Sequence, residues 1–473
     1  MSELWRQSAT ELARSIADRE VCAAEVVDAH LARIDAVNPP LNAVVRVLAE
    51  EARAAARQAD DRLAAGEPVG PLHGVPFTVK LNIDVAGQPT TWGVPALADA
   101  VAQADAPTVE RMRAAGAILI GRTNLPDMAL RFETVSTLYG RTRNPWHPGR
   151  TTGGSSGGEA AALATGMSPI GLGTDIGGSL RNPAAACGIA AIRPSQGRVP
   201  VAGVVPGEDR LMANQLMDVA GPLARRVGDL RLGLRVVMGS HPRDPWSIDT
   251  PLDGRPRRRP IRVAVLAEPP DGPTDRAVAA AVRDAADVLA GAGYAVDEAC
   301  PPRYADAADC WARLLVGDVA SIRAEMWPII GPDGRAVLDN VFELVPPLAG
   351  PAAWSQLMVE RDAIARAWSL FMDEVPLLLS PNWTRLPFEI GVDSGSLEGT
   401  AAWLQQNRAV VPANLLGLPS VCLPAGRDDA TGLPIGVLLT GARLREDLCL
   451  DAAERIEAEL GLDTPIEPVG SGG

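Results

Sequence analysis

Apolar and polar positions follow two different periods along this chain. Residues 8–65 have apolar positions at helical spacing, interrupted by a short apolar run of strand length at residues 41–48. Beyond residue 66, strand-length apolar runs alternate with stretches of helical period. These runs lie at residues 75–79, 117–121, 168–174, 219–223, 261–266, 294–299, 376–380, 418–424 and 433–440. The alternation predicts an α/β fold, a single large domain whose central mixed, largely parallel sheet is covered by helices on both faces.

Composition and charge narrow the range of partners. The 473 residues carry a net charge of −14, which disfavours nucleic acid and anionic membranes, because both attract basic surfaces. The first 20 residues lack the apolar core of a signal peptide, and no run of about 18 apolar residues occurs. The six cysteines are scattered without a CxxC pair, as expected of free thiols in a reducing compartment. We therefore expect a cytoplasmic protein without a metal or another cofactor.

Two serines lie among glycines within one short segment. Ser155 belongs to the run GGSSGG at residues 153–158, and Ser179 ends the run DIGGS at residues 175–179. Glycine lets the backbone approach a ligand closely and adopt dihedral angles that a Cβ forbids. The pattern places Ser179 at a strand-to-helix turn, where backbone N–H groups are unpaired and point outward. A serine nucleophile with a partner is the interpretation that this arrangement favours.

A serine nucleophile of this kind needs a base that accepts its proton. Neither serine has the GxSxG context of a nucleophile elbow, neither glycine run has the lysine of a phosphate loop, and the chain has only four histidines. Among its 44 lysine and arginine residues, Lys80 is the only lysine, and it follows the apolar run at residues 75–79. A buried lysine has a lowered pKa and can act as a base, whereas arginine stays protonated. Lys80 is therefore a candidate base, although one structural lysine in an arginine-biased chain is the simpler alternative.

These motifs resemble those of the amidase signature family. The matching stretches are GVPFTVK at residues 74–80, GGSSGG at residues 153–158 and DIGGSLRNPAAACGIAAIRPSQGRV at residues 175–199. The separations of 75 positions from Lys80 to Ser155 and of 24 positions from Ser155 to Ser179 fit the Ser–cis-Ser–Lys triad of that family. The resemblance extends over most of the chain and is weakest at residues 300–400.

The resemblance implies a role for each matched residue. Ser179 would be the acyl-accepting nucleophile. Ser155, which follows a cis peptide bond in the family, would relay a proton to a neutral Lys80. The oxyanion hole would consist of four backbone N–H groups, those of Ile176, Gly177, Gly178 and Ser179. A small-molecule amide would bind near five further residues, Met128, Arg131, Phe132, Gly154 and Trp383.

The resemblance also implies how the chain is organised. Residues 1–65 would form an N-terminal helical segment packed on the core, and residues 66–473 the amidase signature α/β domain. Within that domain, the catalytic core would span about residues 70–240. A variable helical region at about residues 300–400 would shape the substrate pocket. Dimers are common in the family, so a homodimer is a further expectation.

Two positions depart from the family pattern. Leu81 stands where the family often has an aspartate after the lysine, so a supporting contact would have to come from Asn82 or Asp84. Arg193 stands in the segment CGIAAIRP where the family has a lysine. Because this chain uses arginine everywhere except at position 80, the second departure supports a special role for Lys80.

Two functions fit the motifs. The first is a stand-alone amidohydrolase that cleaves an amide, or an ester or carbamate, through an acyl-enzyme to give an acid and an amine or ammonia. The second is the glutaminase component of a tRNA-dependent amidotransferase, whose pocket must pair both backbone charges of glutamine. Arg131, Phe132 and Trp383 are bulkier than the residues usual there in amidotransferase components, which favours the amidohydrolase. The many tryptophans suggest an apolar or aryl amide, although helix packing explains them equally well.

Overall fold

The computed structural model describes residues 3–204, 209–255 and 260–469. The strands are β1 Val44–Val47, β2 Pro76–Lys80, β3 Ile118–Thr123, β4 Val135–Ser136, β5 Gly140–Arg141, β6 Ile170–Asp175, β7 Ala190–Arg193, β8 Val219–Ala224, β9 Arg262–Val265, β10 Ala295–Glu298, β11 Leu377–Pro381, β12 Ser420–Arg427 and β13 Pro434–Gly441. The α-helices are α1 Ala9–Ala17, α2 Ala23–Leu41, α3 Ala49–Ala64, α4 Pro107–Ala114, α5 Gly157–Ala164, α6 Arg181–Cys187, α7 Met212–Met217, α8 Val227–Val237, α9 Arg276–Gly291, α10 Tyr304–Ser321, α11 Arg323–Met326, α12 Pro332–Leu344, α13 Gly350–Glu374, α14 Val392–Gly395, α15 Leu397–Gln406, α16 Val411–Leu416 and α17 Glu446–Leu460. No helix within these ranges has the length and apolar character needed to cross a bilayer.

Eleven strands form one mixed sheet in the order β1-β3-β2-β6-β8-β7-β12-β13-β11-β9-β10. Parallel pairing occurs in two groups, β3-β2-β6 and β11-β9-β10. The other neighbours within the described part of the chain are antiparallel, so the expected parallel character holds for these two groups only. One reason is that β12 and β13 are joined by the short segment 428–433, and a connection of that length permits only an antiparallel pair.

Helices cover both faces of the sheet, as predicted for an α/β fold. On one face, strand residues such as Phe77 and Val79 pack with side chains of α1, α4, α8, α9 and α17. On the other face, α2, α3, α5 and α6 pack over β3 and its neighbours. Because side chains alternate along a strand, Thr78 and Lys80 point to the second face, where α5 lies. The fold therefore directs the single lysine toward the first glycine-flanked serine.

The N-terminal 65 residues are built into this sheet through β1, its edge strand. Ser8 begins α1 with a capping box, in which its side chain accepts from the N–H of Glu11 and the Glu11 side chain accepts in return. The helix α2 continues through Pro39 and Pro40 and ends at Leu41. Its last turn is closed by the N–H of Asn42, which donates to the carbonyl of Asn38 at 2.7 Å.

Several short elements are not predicted by the pattern. The buried four-residue strand β7 and the helices α14, α15 and α16 lie in segments that carry neither a clear strand signal nor helical period. The long strands are those that the apolar runs predict, with ends shifted by three residues or fewer. Packing between distant segments, rather than local preference, explains the short elements.

Candidate active site

Lys80 and Ser155 are in direct contact inside the protein. Lys80 is the last residue of β2, and Ser155 lies two residues before the start of α5, the helix that covers this face of the sheet. Lys80 Nζ lies 2.7 Å from Ser155 Oγ and 3.1 Å from Thr174 Oγ1. Both Lys80 and Ser155 are buried. The lysine therefore has two hydroxyl groups as its polar neighbours.

Burial makes Lys80 a base that titrates near neutrality. Desolvation lowers the pKa of Lys80 to about 7, against the opposing charges of Asp218, Asp175 and Glu159. Lys80 forms no ion pair with any residue in the described ranges. A lysine with this pKa has a substantial neutral fraction at pH 7 and can accept a proton.

Ser179 lies in the turn that leaves β6, and a buried carboxylate holds that turn. Asp175 accepts hydrogen bonds from the N–H groups of Gly178 at 2.7 Å and Leu180 at 3.1 Å. Arg181 binds the same carboxylate through Nε and Nη2, each at 3.0 Å. Although burial disfavours the charged form, Arg181, Arg193 and Asn414 together outweigh it and hold the pKa of Asp175 well below its usual range. The turn is thus fixed by a permanently ionised side chain.

The same turn presents backbone N–H groups beside the Ser179 hydroxyl. Those of Ile176, Gly177 and Ser179 make no hydrogen bond to another described residue. The N–H of Gly178 donates to Asp175 and is not available. One of the four N–H groups expected in the oxyanion hole is therefore engaged within the turn, and the role of the other three stays a prediction. The pattern conceals this because it does not reveal that Asp175 folds back onto its own turn.

The two serine sites are joined to each other by backbone contacts. The Gly154–Ser155 peptide bond is cis. The N–H of Ser156 donates to the carbonyl of Ser179 at 3.2 Å. A Cβ added at Gly154 would collide with the carbonyl oxygen of Arg131, so only glycine permits this approach of two backbone segments. Gly154 therefore supports the site by its small size.

A cavity of about 440 Å³ opens over both serines. Its wall includes Ser155, Ser179 and the turn residues Ile176 and Gly177. The apolar part of the wall comes from Trp92, Leu97, Met128, Leu130, Phe132, Leu211, Trp311, Leu315, Val319, Ile322, Met326, Ile329 and Trp403. The acidic residues of the wall are Asp209, Asp218, Asp318 and Glu325. Within the described lining there is no lysine, arginine or histidine side chain.

The predicted pocket residues divide into two groups. Met128 and Phe132 line the cavity. Arg131 does not, because its guanidinium points away and binds Asp393 at 2.7 and 3.1 Å. Trp383 does not either; its ring packs against Phe388, within an apolar cluster that also contains Phe132 and Trp403. Neither of these two residues is on the wall of this cavity, and the contacts that the structure shows for them are with other side chains of the protein.

The residues that replace the family pattern also have identifiable contacts. Asn82 donates to Thr174 Oγ1 at 3.0 Å, the hydroxyl that also contacts Lys80. Asn82 is therefore a polar residue next to Leu81 that supports a hydroxyl in contact with Lys80. Arg193 is buried, and its guanidinium donates to backbone carbonyls, including that of Met217 at 2.7 Å.

Three tryptophans on the cavity wall are not identified from the sequence as pocket residues. Trp92 follows the Lys80 motif by twelve positions, and Trp311 and Trp403 lie in or next to the region where the family resemblance is weakest. The available signal is only the abundance of tryptophan at residues 300–400. Periodicity does not distinguish a tryptophan that packs between helices from one that faces a cavity.

Comparison with known proteins assigns the chain to a family. A family model described as Amidase matches residues 25–450. The chain belongs to the amidase signature family. Indoleacetamide hydrolase of Bradyrhizobium diazoefficiens is 41% identical over 467 residues, which are 97% of this chain and 87% of that protein. A glutamyl-tRNA(Gln) amidotransferase component of Anaeromyxobacter sp. is 33% identical, over 98% of this chain and 99% of that protein.

The fold comparison agrees with this assignment. The structure of 6-aminohexanoate cyclic dimer hydrolase complexed with substrate superposes with a TM-score of 0.85 at 31% identity and covers 99% of each chain. The predictions of an amidase signature fold and of a hydrolase acting on amide C–N bonds are both confirmed. The role of each site residue, and the domain boundary at residues 65 and 66, stay predictions.

Replacing Arg131 tests its structural role. Arg131→Met leaves the fully buried Asp393 without its main partner, so we expect the free energy of unfolding to fall by about 3–5 kcal/mol. Urea denaturation measures this change. The matched control is Arg366→Met, which breaks an exposed ion pair with Asp362 and should cost less than about 1 kcal/mol. Equal stability of the two variants would contradict the role given to Arg131.

Proposed function

We propose that this enzyme hydrolyses an apolar or aryl carboxylic amide through an acyl-enzyme on Ser179. The observation that carries the proposal is the 2.7 Å contact between Lys80 Nζ and Ser155 Oγ, in a buried site beside the same cavity that Ser179 lines. A base of pKa about 7, a relay hydroxyl and a second hydroxyl next to free N–H groups are the components that serine-based acyl transfer requires.

The first half of the reaction forms the acyl-enzyme. Ser155 passes its proton to neutral Lys80 while it takes the proton of Ser179, and Ser179 Oγ forms a bond to the amide carbonyl carbon. The carbonyl electron pair moves onto oxygen, and the resulting oxyanion accepts hydrogen bonds from the three free N–H groups of the turn. When the oxyanion collapses, the C–N bond breaks. The leaving nitrogen takes a proton from Ser155, which recovers one from Lys80.

The second half releases the acid. Water enters the cavity, gives a proton to the Ser155–Lys80 pair and attacks the acyl carbon. The bond to Ser179 Oγ breaks, and Ser179 recovers its proton through the same pair. Since the relay both accepts and returns the proton, each turnover consumes one amide and one water and yields one carboxylic acid and one amine or ammonia.

The cavity wall supports an apolar acyl group. Three tryptophans, Met128 and Phe132 line the cavity that Ser179 also lines, and such a wall binds hydrocarbon or aromatic groups by excluding water. The relative named indoleacetamide hydrolase, 41% identical, is consistent with an amide of an arylacetic acid as the substrate class.

A glutaminase component of an amidotransferase is the alternative, since a relative named for that complex is 33% identical over 98% of the chain. Glutamine carries both an α-ammonium and an α-carboxylate. The acids of the wall, such as Asp318 and Glu325, could pair with the ammonium. No cationic side chain lies in the described lining to pair with the carboxylate, and an unpaired charge is costly to bury. This observation disfavours glutamine.

Removing the proposed nucleophile is the direct test of the mechanism. Ser179→Ala should lower kcat with phenylacetamide by about a thousandfold or more, because it removes the hydroxyl on which the acyl-enzyme is proposed to form. The matched control is Ser156→Ala, which deletes a neighbouring buried hydroxyl that has no hydrogen-bond partner among the described residues. Steady-state assays of both variants check the prediction. Activity of Ser179→Ala above a few per cent of wild type would exclude Ser179 as the nucleophile.

The pH profile tests the neutral lysine. Because Lys80 acts only when deprotonated and burial lowers its pKa to about 7, kcat/KM should rise with pH and level off above pH 7. Asp218 is the carboxylate that raises the pKa of Lys80 most, so Asp218→Asn should move the rising limb to lower pH. Lys80→Arg keeps a positive charge but removes the group that can accept a proton, so this variant should be nearly inactive. The exposed control Arg366→Lys should keep wild-type activity. A profile that is flat from acid to alkaline pH would count against this role.

A substrate panel separates the two candidate functions. The purified chain alone should hydrolyse indole-3-acetamide and phenylacetamide with a kcat/KM at least about a hundredfold above that for glutamine, because glutamine would leave its carboxylate unpaired in the cavity. Ammonia release measured by a coupled assay reports all substrates on one scale. A preference for glutamine would favour the amidotransferase component instead.

A further inference from the structure

We propose that Trp311 sets the length of the acyl group that the enzyme accepts, by closing an apolar pocket that continues from the catalytic cavity. This inference rests on the proposed function of the Ser179 site. Trp311 belongs to α10, in the region of the chain where the family resemblance is weakest, and only 5% of its surface is exposed. Nothing in the catalytic motifs themselves requires a tryptophan at this position.

Trp311 is held against the turn that carries the free N–H groups. Its indole Nε1–H donates to the carbonyl of Ile176 at 2.9 Å. The ring lies over Gly177, where an added Cβ would be 2.5 Å from Cζ2 of the indole. Gly177 therefore provides the space that lets the indole sit directly on the turn. With one hydrogen bond and one close packing contact, the ring has a fixed position.

Trp311 also borders three neighbouring cavities. The first is the catalytic cavity, and the second is a cavity of about 60 Å³ behind it. The third has about 210 Å³ and includes polar residues, among them Gln405 and Arg408. Four residues besides Trp311 are shared by the walls of the first two cavities, namely Leu130, Leu315, Val319 and Trp403. Three more are shared by the second and third, namely Ala312, Val345 and Leu404.

The second cavity has the chemistry of a hydrocarbon site. All of its lining side chains are apolar, and they come mainly from α10 and α12. A cavity with such walls stays free of water and takes apolar groups. Its volume of about 60 Å³ is enough for roughly two methylene groups, judging by the ~30 Å³ that one water occupies in the liquid. The indole of Trp311 is one part of the wall that this space shares with the catalytic cavity, and of the five shared residues it is the one that donates a hydrogen bond to the carbonyl of Ile176.

The direction of the substrate follows from the proton relay. The leaving nitrogen must meet the Ser155 hydroxyl, which is on the Lys80 side of the cavity. The acyl group then extends away from Lys80, over Gly177 and toward Trp311. The residue that ends this path consequently limits the acyl group and not the amine.

The test is the dependence of kcat/KM on acyl length, measured with the series of straight-chain primary amides from acetamide to decanamide. In the wild type, kcat/KM should stop rising once the acyl chain reaches Trp311. In Trp311→Ala, kcat/KM should continue to rise for two or more further carbons. Each additional methylene that is buried should raise kcat/KM by about fourfold. Trp311→Phe keeps most of the bulk and loses the hydrogen bond to Ile176, so it should lower kcat for all amides with the same length limit.

A second substitution checks that the added space is the one described. Val341 lines the second cavity and not the catalytic one. Adding Val341→Phe to Trp311→Ala should abolish the gain for long amides, whereas Val341→Phe alone should leave the wild-type profile unchanged. The matched tryptophan control is Trp246→Ala, which removes a side chain that is 63% exposed. If Trp311→Ala does not fold, Trp311→Leu is tested instead, and its limit of acyl length should increase by less.

The outcomes separate this inference from the function on which it rests. An unchanged length profile in both Trp311→Ala and Trp311→Leu, with Ser179→Ala inactive, would overturn the role of Trp311 alone. A wild type whose kcat/KM keeps rising with every added carbon through decanamide would also overturn it. Full activity of Ser179→Ala would instead overturn the proposed function. A longer limit that Val341→Phe reverses supports the inference.

Discussion

The removal of one lysine from water is the constraint on which the site depends. Water stabilises an ammonium ion strongly, so Lys80 can be a base near neutrality only if the fold keeps water away and supplies no full counter-charge in contact. β2 provides this by burying every residue of the strand and ending at Lys80. α5 lies over the end of β2. The segment just before α5 contains Ser155, whose hydroxyl is a polar neighbour of Lys80.

Each carboxylate near Lys80 either binds other groups or has its charged form disfavoured by burial. Lys80 can therefore lose its proton near neutral pH. Asp175 is bound by Arg181 and by two N–H groups of its own turn. Glu159 accepts from the hydroxyls of Thr78 and Thr123, and burial raises its pKa to about 7, so much of its charge is absent near neutral pH. Asp218 faces the cavity, and burial raises its pKa to about 6. The site thus contains acids whose charges act on Lys80 from a distance, while the hydrogen bonds of the lysine side chain go to hydroxyl groups.

The parts of this arrangement that the sequence predicts are those fixed by local rules. A lone lysine after an apolar run, and serines that need glycine neighbours, are recognisable because each constraint acts within a few positions. The parts that it does not predict join distant segments. Arg131 meets Asp393 across 262 positions, and Trp311 meets Ile176 across 135. The use of the Gly178 N–H by Asp175 is local, yet it depends on a side-chain rotation that no periodicity reveals.

The contact between Trp311 and the turn links specificity to rate. The indole that bounds the substrate also binds the carbonyl of Ile176, whose neighbouring N–H groups are the proposed oxyanion donors. Oxyanion stabilisation requires donors that are already oriented before reaction, and a displaced donor loses most of its effect. A substitution at Trp311 that admits a longer acyl group therefore also loosens the turn. A change of specificity toward longer acyl groups therefore lowers the rate, unless another contact replaces the indole in holding Gly177.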